Sequence, residues 1–257
     1  MRGVALPVER GAWSLWLEPV LLALLIAPSG TGALIAILSL FSLLVRQPLK
    51  IMLIDISRSK VYRRTRQGAL FVCLYVCCAT SATFAIVWRG DYQTLLPLIP
   101  AYLAAAAIVW RFDLGGNSRH WLPESLAAVV MSTFAVSICL ASDWSWDHSA
   151  AVGVIVLARS VPAIMYVRAR LKQIKSSEDA YWLPITIQAV ALCGVLFLHW
   201  RALTPLLSTV AVLVLLARSI YFLRFGAQVA PKLAGIQEAA IGLVFVALAT
   251  AGYILPV

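Results

Sequence analysis

The sequence predicts an all-α, polytopic membrane helix bundle of about nine transmembrane helices, with the N-terminus cytoplasmic and the C-terminus outside. Three observations predict it. Hydrophobic residues make up 62% of the 257 residues and charged residues 12%, against about 45–50% and about 25% in soluble domains. The apolar residues, at a mean hydropathy of +0.90, come in long continuous runs rather than the alternation of barrel strands. The Lys and Arg residues between those runs fall almost entirely on one side. A single core in a chain of this length cannot bury so much apolar surface, so lipid is the solvent for the rest. Composition thus excludes a soluble enzyme, a disordered chain and a disulfide scaffold.

Crossing a hydrocarbon core takes about 20 residues of helix, within a range of about 17–25. The first apolar segment runs from about Gly11 to Pro28, and Ser29-Gly30 break it. The second starts at Gly32, stays apolar to Val45 and continues as a mixed stretch. The third is Gly68 to Trp88, ended by Gly90-Asp91; the fourth is Leu95 to Trp110, ended by Gly115-Gly116-Asn117. Then come Trp121 to Ala141, Ser149 to Val167, Tyr181 to His199, Leu203 to about Phe225, and Ile236 to Pro256. The first segment carries Glu18-Pro19 in its middle, where the core of a cleaved signal would be apolar, so it is expected to be retained. The whole of 1–257 reads as a single integral membrane domain.

The formal net charge is +10. Its distribution points to membrane topology and anionic headgroups, not nucleic acid. With nine spans, 18 of the 21 cations fall on one side, in the loops after the second, fourth, sixth and eighth segments and before the first. Arg89 and Arg201 fall on the other side, and Arg159 lies within a helix. Cations gather in the cytoplasm, which sets the orientation. All nine Trp lie near predicted helix ends, where amphipathic rings meet headgroups. Cys73, Cys77, Cys78, Cys139 and Cys193 sit in apolar runs without His partners, so neither a disulfide nor a metal site is expected. His120, His148 and His199 read as interfacial.

Ionisable groups at membrane depth are costly and need partners, which makes each a functional candidate. At 1.5 Å per residue, Glu18 lies about ten ångströms into the first helix and Arg159 about twelve from the cytoplasmic end of the sixth. Gln188 is about as deep in the seventh. Arg46, Glu124, Arg218 and Glu238 fall near the cytoplasmic ends of the second, fifth, eighth and ninth helices. Their one-sidedness predicts a polar cavity open to the cytoplasm, with Arg159 facing one or more of Glu18, Glu124 and Glu238, and Arg46 at the rim. Glu178-Asp179 is placed to cap the seventh helix.

From Arg46 to Arg66 the chain is mixed. Leu49, Met52, Leu53 and Ile56 share a helical face away from Lys50 and Arg58, with Asp55 the only acid. This reads as an amphipathic stretch on the anionic leaflet, or as a cationic lid over a phosphate-bearing ligand. A short repeat also shows: VRQPLKIM, LARSVPAIMYVR and LARSIYFLR each carry an Arg near the cytoplasmic side, and Pro follows within three residues in the first two. Repeats in membrane proteins often hold their site at the repeat interface.

RGAW at Arg10 to Trp13, RQPLK at Arg46 to Lys50, LPE at Leu122 to Glu124, the run ARSVPAIMYVRARLK from Ala158, and GIQE at Gly235 to Glu238 together resemble the YwiC-like family of bacterial integral membrane proteins. That family commonly has His at the position of Arg10. The resemblance implies the bacterial plasma (inner) membrane. More distantly, the helix count and topology are similar to the UbiA superfamily of membrane prenyltransferases, whose catalytic loops follow the second and sixth helices. That superfamily holds Mg²⁺ on a prenyl diphosphate with two Asp-rich motifs. The corresponding stretches here hold Asp55 alone, and Glu178-Asp179 displaced along the loop. One carboxylate among seven cations makes a poor Mg²⁺ site.

The expected function is to hold a lipid or small anionic ligand, such as a phosphate-bearing lipid, in a cytoplasmic-facing polar cavity within the membrane. The ligand-binding candidates are Glu18, Arg46, Lys50, Asp55, Glu124, Arg159, Arg168, Gln188, Arg218 and Glu238. One alternative is a divergent prenyl or lipid transferase without the Asp-rich motifs. No nucleophile–base pair stands out by spacing, and no cofactor is indicated. The other alternative is a small-molecule transporter, against which stands the scarcity of ionisable residues in the outer half.

Overall fold

The computed structural model describes residues 2–7, 10–57, 62–113, 121–176, 181–225 and 231–255. Gly115–Asn117, Arg119, His120 and Glu178-Asp179 lie outside these. Helices α1 (Arg10–Ile26), α2 (Gly30–Ser57), α3 (Arg63–Trp88), α4 (Leu98–Asp113) and α5 (Trp121–Leu140) follow a short helical turn at Arg2–Ala5. They are followed by α6 (Trp146–Ser176), α7 (Trp182–Trp200), α8 (Leu206–Arg224) and α9 (Pro231–Ile254). A 3-10 turn at Tyr92–Leu95 leads into α4. No strand occurs among the described residues.

Each predicted segment is a helix, but several helices outrun their apolar window. The mixed stretch after Val45 continues α2, because Pro48 removes only one backbone bond, the one to the Leu44 carbonyl. α6 extends to 31 residues, from three positions before Ser149 to Ser176. Apolarity marks what lipid covers, whereas backbone hydrogen bonding carries the helix on into charged sequence. Among the described residues, seven helices are long and apolar enough to cross a membrane, and α1 and α4 are shorter apolar helices. At 17 and 16 residues, these two span about 25 Å, under a hydrocarbon core of about 30 Å.

Successive helices alternate in direction. Contacts at one end join the basic segments: Glu124 with Arg168, Asp55 with Arg64, and Arg170 with the Phe222 carbonyl. At the opposite end, Ser142 donates to the Ala27 carbonyl and Trp144 packs on Tyr253. There too the Thr31 hydroxyl donates to Asp91 at 2.5 Å. The break after α3 is made by Gly90, at φ +87°, a conformation that only glycine enters without steric cost. α5 and α6 form the centre, each 61% buried over its apolar window, whereas α3 and α7 are 17% buried and face outward. α1 packs on α2, α5, α6 and α9; α8 packs on α6, α7 and α9; α3 packs chiefly on α2. Leu22, Ile35, Phe134, Ile138, Ile155 and Val212 are fully enclosed at the centre.

Trp13, Trp88, Trp121, Trp146, Trp182 and Trp200 are exposed near helix ends, as a headgroup belt requires. Trp16 departs from the expectation. It points inward, and its indole N–H donates to Ser39 Oγ at 2.8 Å. The position preceding α7 is Tyr181, which makes no side-chain cap bond; the cap expected from Glu178-Asp179 lies outside the described residues.

Candidate functional site

Four helices meet in a buried quartet of charges. Arg159 of α6 faces Glu18 of α1, with Nε 3.2 Å from Oε2 and Nη2 donating to Oε1 at 3.4 Å. Its Nη1 donates to Glu238 Oε2 at 3.4 Å, and Nη2 donates to the Glu238 backbone carbonyl at 3.0 Å. Arg218 of α8 closes the quartet, with Nη1 2.6 Å from Glu238 Oε1. Its guanidinium lies 4.0 Å over the Tyr166 ring, a cation–π contact in a site without bulk water. All four side chains are 12% exposed or less.

Local sequence explains why they meet. Glu18 precedes Pro19, and Arg159 lies three residues before Pro162. Pro162 cannot donate to the Ala158 carbonyl. Gln188 of α7 takes that place, its Nε2 donating to Ala158 O at 3.3 Å. A freed carbonyl at membrane depth is thereby satisfied by a neighbouring helix. Gly242 of α9, one turn beyond Glu238, gives room for the Glu18 carboxylate, which a Cβ there would strike. Two guanidiniums meet two carboxylates, so the quartet is balanced in charge. The cavity beside it, bounded by Glu18, Arg159, Ser160 and apolar side chains, measures about 10 Å³, the space of roughly one water. Glu238 and Arg46 do not line it.

The other sequence candidates are spread over the basic end. Arg168 of α6 grips Glu124 of α5 with two bonds, Nε to Oε2 at 2.9 Å and Nη2 to Oε1 at 2.8 Å. Asp55, 1% exposed, closes the α2–α3 turn: Arg64 Nη2 reaches Oδ1 at 2.5 Å, Arg64 Nε donates to Oδ2 at 3.0 Å, and Thr65 donates to Oδ2 at 2.7 Å. Arg46 and Lys50 lie one turn apart on α2, both half-buried. Arg46 has no polar partner among the described residues. It continues a line on α2 through Ser39, met by Trp16 of α1, and Ser42, met by the Tyr102 hydroxyl of α4. No group of three or more His, Cys, Asp or Glu placed to hold a metal occurs among the described residues.

Sequence reasoning missed several participants. Arg64 and Thr65 were signalled only by lying nine and ten residues after Asp55, across a turn. Arg170 and Gln173, which donate to the Phe222 and Leu223 carbonyls at the end of α8, look like ordinary solvated residues in sequence. A set of buried hydroxyls at the end opposite the basic loops carries no signal in the sequence. These are Ser137, Ser149, Ser208, Thr209 and Thr250, each without a hydrogen-bond partner.

An all-helical bundle with seven membrane-length helices and its deep charges confined to internal pairs defines a multi-pass helical membrane protein. Residues 6–139 match the family model described as YwiC-like protein. That is over half of the chain, and the chain belongs to the YwiC-like family. The match takes in the RGAW, RQPLK and LPE runs but ends before the run from Ala158. No curated protein and no solved structure matches, so neither comparison supports the likeness to prenyltransferases.

Proposed function

We propose that this protein, as one integral domain of the bacterial plasma membrane with its basic end in the cytoplasm, binds an anionic membrane lipid, with Arg46 as the headgroup contact. The observation that carries this reading is the contrast among the charges of the basic end. Glu18, Asp55, Glu124 and Glu238 are each matched by an arginine, whereas Arg46 is half-buried without a polar partner among the described residues. A guanidinium stays charged at any physiological pH and presents a fork suited to phosphate. Arg46 faces the side of α2 bridged to α1 by Trp16 and to α4 by Tyr102, and Lys50 follows one turn nearer the headgroups. The quartet is the clamp that holds α1, α6, α8 and α9 together, not the ligand contact, because its charges cancel.

A prenyl or lipid transferase is the weaker reading. Asp55 would have to present its carboxylate to a metal, and both its oxygens are taken by Arg64 and Thr65.

Each cation near an anionic surface contributes about 1 kcal/mol, or about fivefold in affinity. Purified protein titrated with phosphatidylglycerol or phosphatidylcholine and followed by native mass spectrometry should favour phosphatidylglycerol. Arg46→Gln should lose about fivefold of that preference, and Arg201→Gln, exposed at the opposite end of the bundle, should keep it. Equal binding of the two lipids by the parent protein, or an unchanged preference in Arg46→Gln, would overturn the proposal.

A further inference from the structure

Two sets of buried polar side chains stand out at different depths of the bundle. One is the quartet. The other lies at the end opposite the basic loops, where Ser137 of α5, Ser149 of α6, Ser208 and Thr209 of α8 and Thr250 of α9 are all over nine-tenths buried. None of these five hydroxyls has a hydrogen-bond partner. Buried hydroxyls are ordinarily satisfied, as the buried Ser39 and the part-buried Ser42, Thr83 and Thr133 are, each donating to a carbonyl of its own helix; the hydroxyls of Thr204 and Tyr253, at the same end as the five, and of Ser125 at the start of α5 are likewise without a partner.

The level of the second layer follows from the first. Arg159, Arg218 and Glu238 touch, so α6, α8 and α9 are in register there. Ser149 precedes Arg159 by ten residues and Ser208 precedes Arg218 by ten, while Thr250 follows Glu238 by twelve on the antiparallel α9. At about 1.5 Å per residue all three lie about 15–18 Å from the quartet. Ser132 of α5 lies 3.5 Å from where a Cβ of Gly153 on α6 would stand. Ser137, five residues further along the antiparallel α5, is therefore level with Ser149.

α6 and α8 are two copies of one pattern running in the same direction. LARS occupies 157–160 in one and 216–219 in the other, with a serine ten residues before each arginine. Burial repeats with the sequence: Ser149 and Ser208 are both 0% exposed, and Ser160 and Ser219 are 6% and 2% exposed. Both arginines hold the same carboxylate, that of Glu238. Between the two layers these helices carry only apolar residues, among them Ile155, Val156, Val212, Leu215, Phe245 and Val246. Membrane transporters place a polar site at a repeat interface near the midplane, beside helices interrupted by proline. Here Pro19 and Pro162 flank the quartet.

We propose that the interface of α6, α8 and α9 is a pathway for a small, uncharged, hydrogen-bonding solute. The hydroxyl layer is its mouth, and the quartet is the gate that closes it toward the basic end. The solute is uncharged because the buried hydroxyls carry no charge, and Asp147, two residues before Ser149, is exposed. The layer is built of neutral hydroxyls, and the N-terminal turns of α6 and α8 are offset there by the C-terminal turns of α5 and α9. This inference goes beyond the lipid-binding reading and does not rest on it.

The test has two readouts. Protein in nanodiscs carrying Ser208→Cys, Thr250→Cys or Val212→Cys is reacted with iodoacetamide, itself small, neutral and water-soluble. Labelling is resolved by peptide mass spectrometry, with the five native cysteines as internal reference. Ser208→Cys and Thr250→Cys should react at least tenfold faster than Val212→Cys, which lies one turn deeper among apolar side chains. In parallel, the parent protein in liposomes should speed entry of glycerol or urea over protein-free liposomes. Equal labelling at the three positions, or permeation of both probes no faster than in protein-free liposomes, would overturn the proposal. Neither readout involves Arg46, so its failure is separable from failure of lipid binding.

Discussion

Replacing Arg159 by Met removes the guanidinium that touches both buried glutamates while keeping most of its volume. What remains is Glu18, Glu238 and Arg218, two carboxylates and one guanidinium, and of the two carboxylates Arg218 reaches Glu238, at 2.6 Å. Glu18 is then a buried carboxylate beside bare helix at Gly242. Breaking a buried pair by removing one partner costs about 3–5 kcal/mol, and that is the loss expected for Arg159→Met. Arg159→Met with Glu18→Gln removes the stranded charge and leaves Glu238 and Arg218 paired. Coupling between residues in contact runs to about 3 kcal/mol, so the double variant should be more stable than Arg159→Met alone, at a net cost of about 1–2 kcal/mol. Reversible denaturation in mixed micelles, followed by the fluorescence of the nine tryptophans, measures both. The clamp reasoning fails if Arg159→Met costs less than about 1 kcal/mol, or if the double variant is no more stable than the single one.

Further expectations follow from the same packing. Gly242→Ala should destabilise, since its Cβ strikes the Glu18 carboxylate, whereas Gly194→Ala, with nothing within 4 Å of the new atom, should be neutral or stabilising by up to about 1 kcal/mol. Equal effects at the two glycines in the same denaturation assay would contradict the packing of α1 on α9. Gln188→Leu should cost about 1–3 kcal/mol by stranding the Ala158 carbonyl. The cost should shrink when Pro162→Ala restores a backbone N–H to that carbonyl, and a double-variant cycle without such coupling would disprove the assignment. Reporters fused at Lys172 and at Asp147 should report opposite sides of the membrane, with Lys172 in the cytoplasm. Finding both on one side would remove α6 as a span.

The helices themselves were legible in the sequence because lipid-facing apolar surface has to be continuous, and each apolar run became a helix among the described residues. Their ends were less legible. Hydropathy reads the solvent around a helix, and α2 and α6 continue past their apolar windows, where Asp55, Arg168 and Arg170 bond neighbouring elements. The depth of Glu18 and Arg159 was legible from position within a run, since rise per residue converts sequence into distance. That Arg159 needed a carboxylate followed from a charge that cannot be shed. Which carboxylates it would meet did not follow: Glu18 is the nearest match in depth, but Glu124 and Glu238, nearer the helix ends, lie in the same half.

Tertiary packing made that choice. Glu124 lies at the first turn of α5 and is held by Arg168, while Glu18 and Glu238 reach Arg159 from α1 and α9 because Gly242 lets those helices approach. The inward turn of Trp16 and the sharing of Glu238 by two arginines also depend on which faces of separate helices meet. So does the layer of hydroxyls at the far end. Single serines in apolar helices are inconspicuous in a linear sequence, and they become a layer only when Glu238 aligns α6 with α8. Sequence by itself determined what must be buried in lipid, what must stay wet and how deep each charge lies, since those are properties of one helix and its solvent. Structure decided the partners, because rotation and contact between helices are set by side-chain shape across interfaces that no single helix contains.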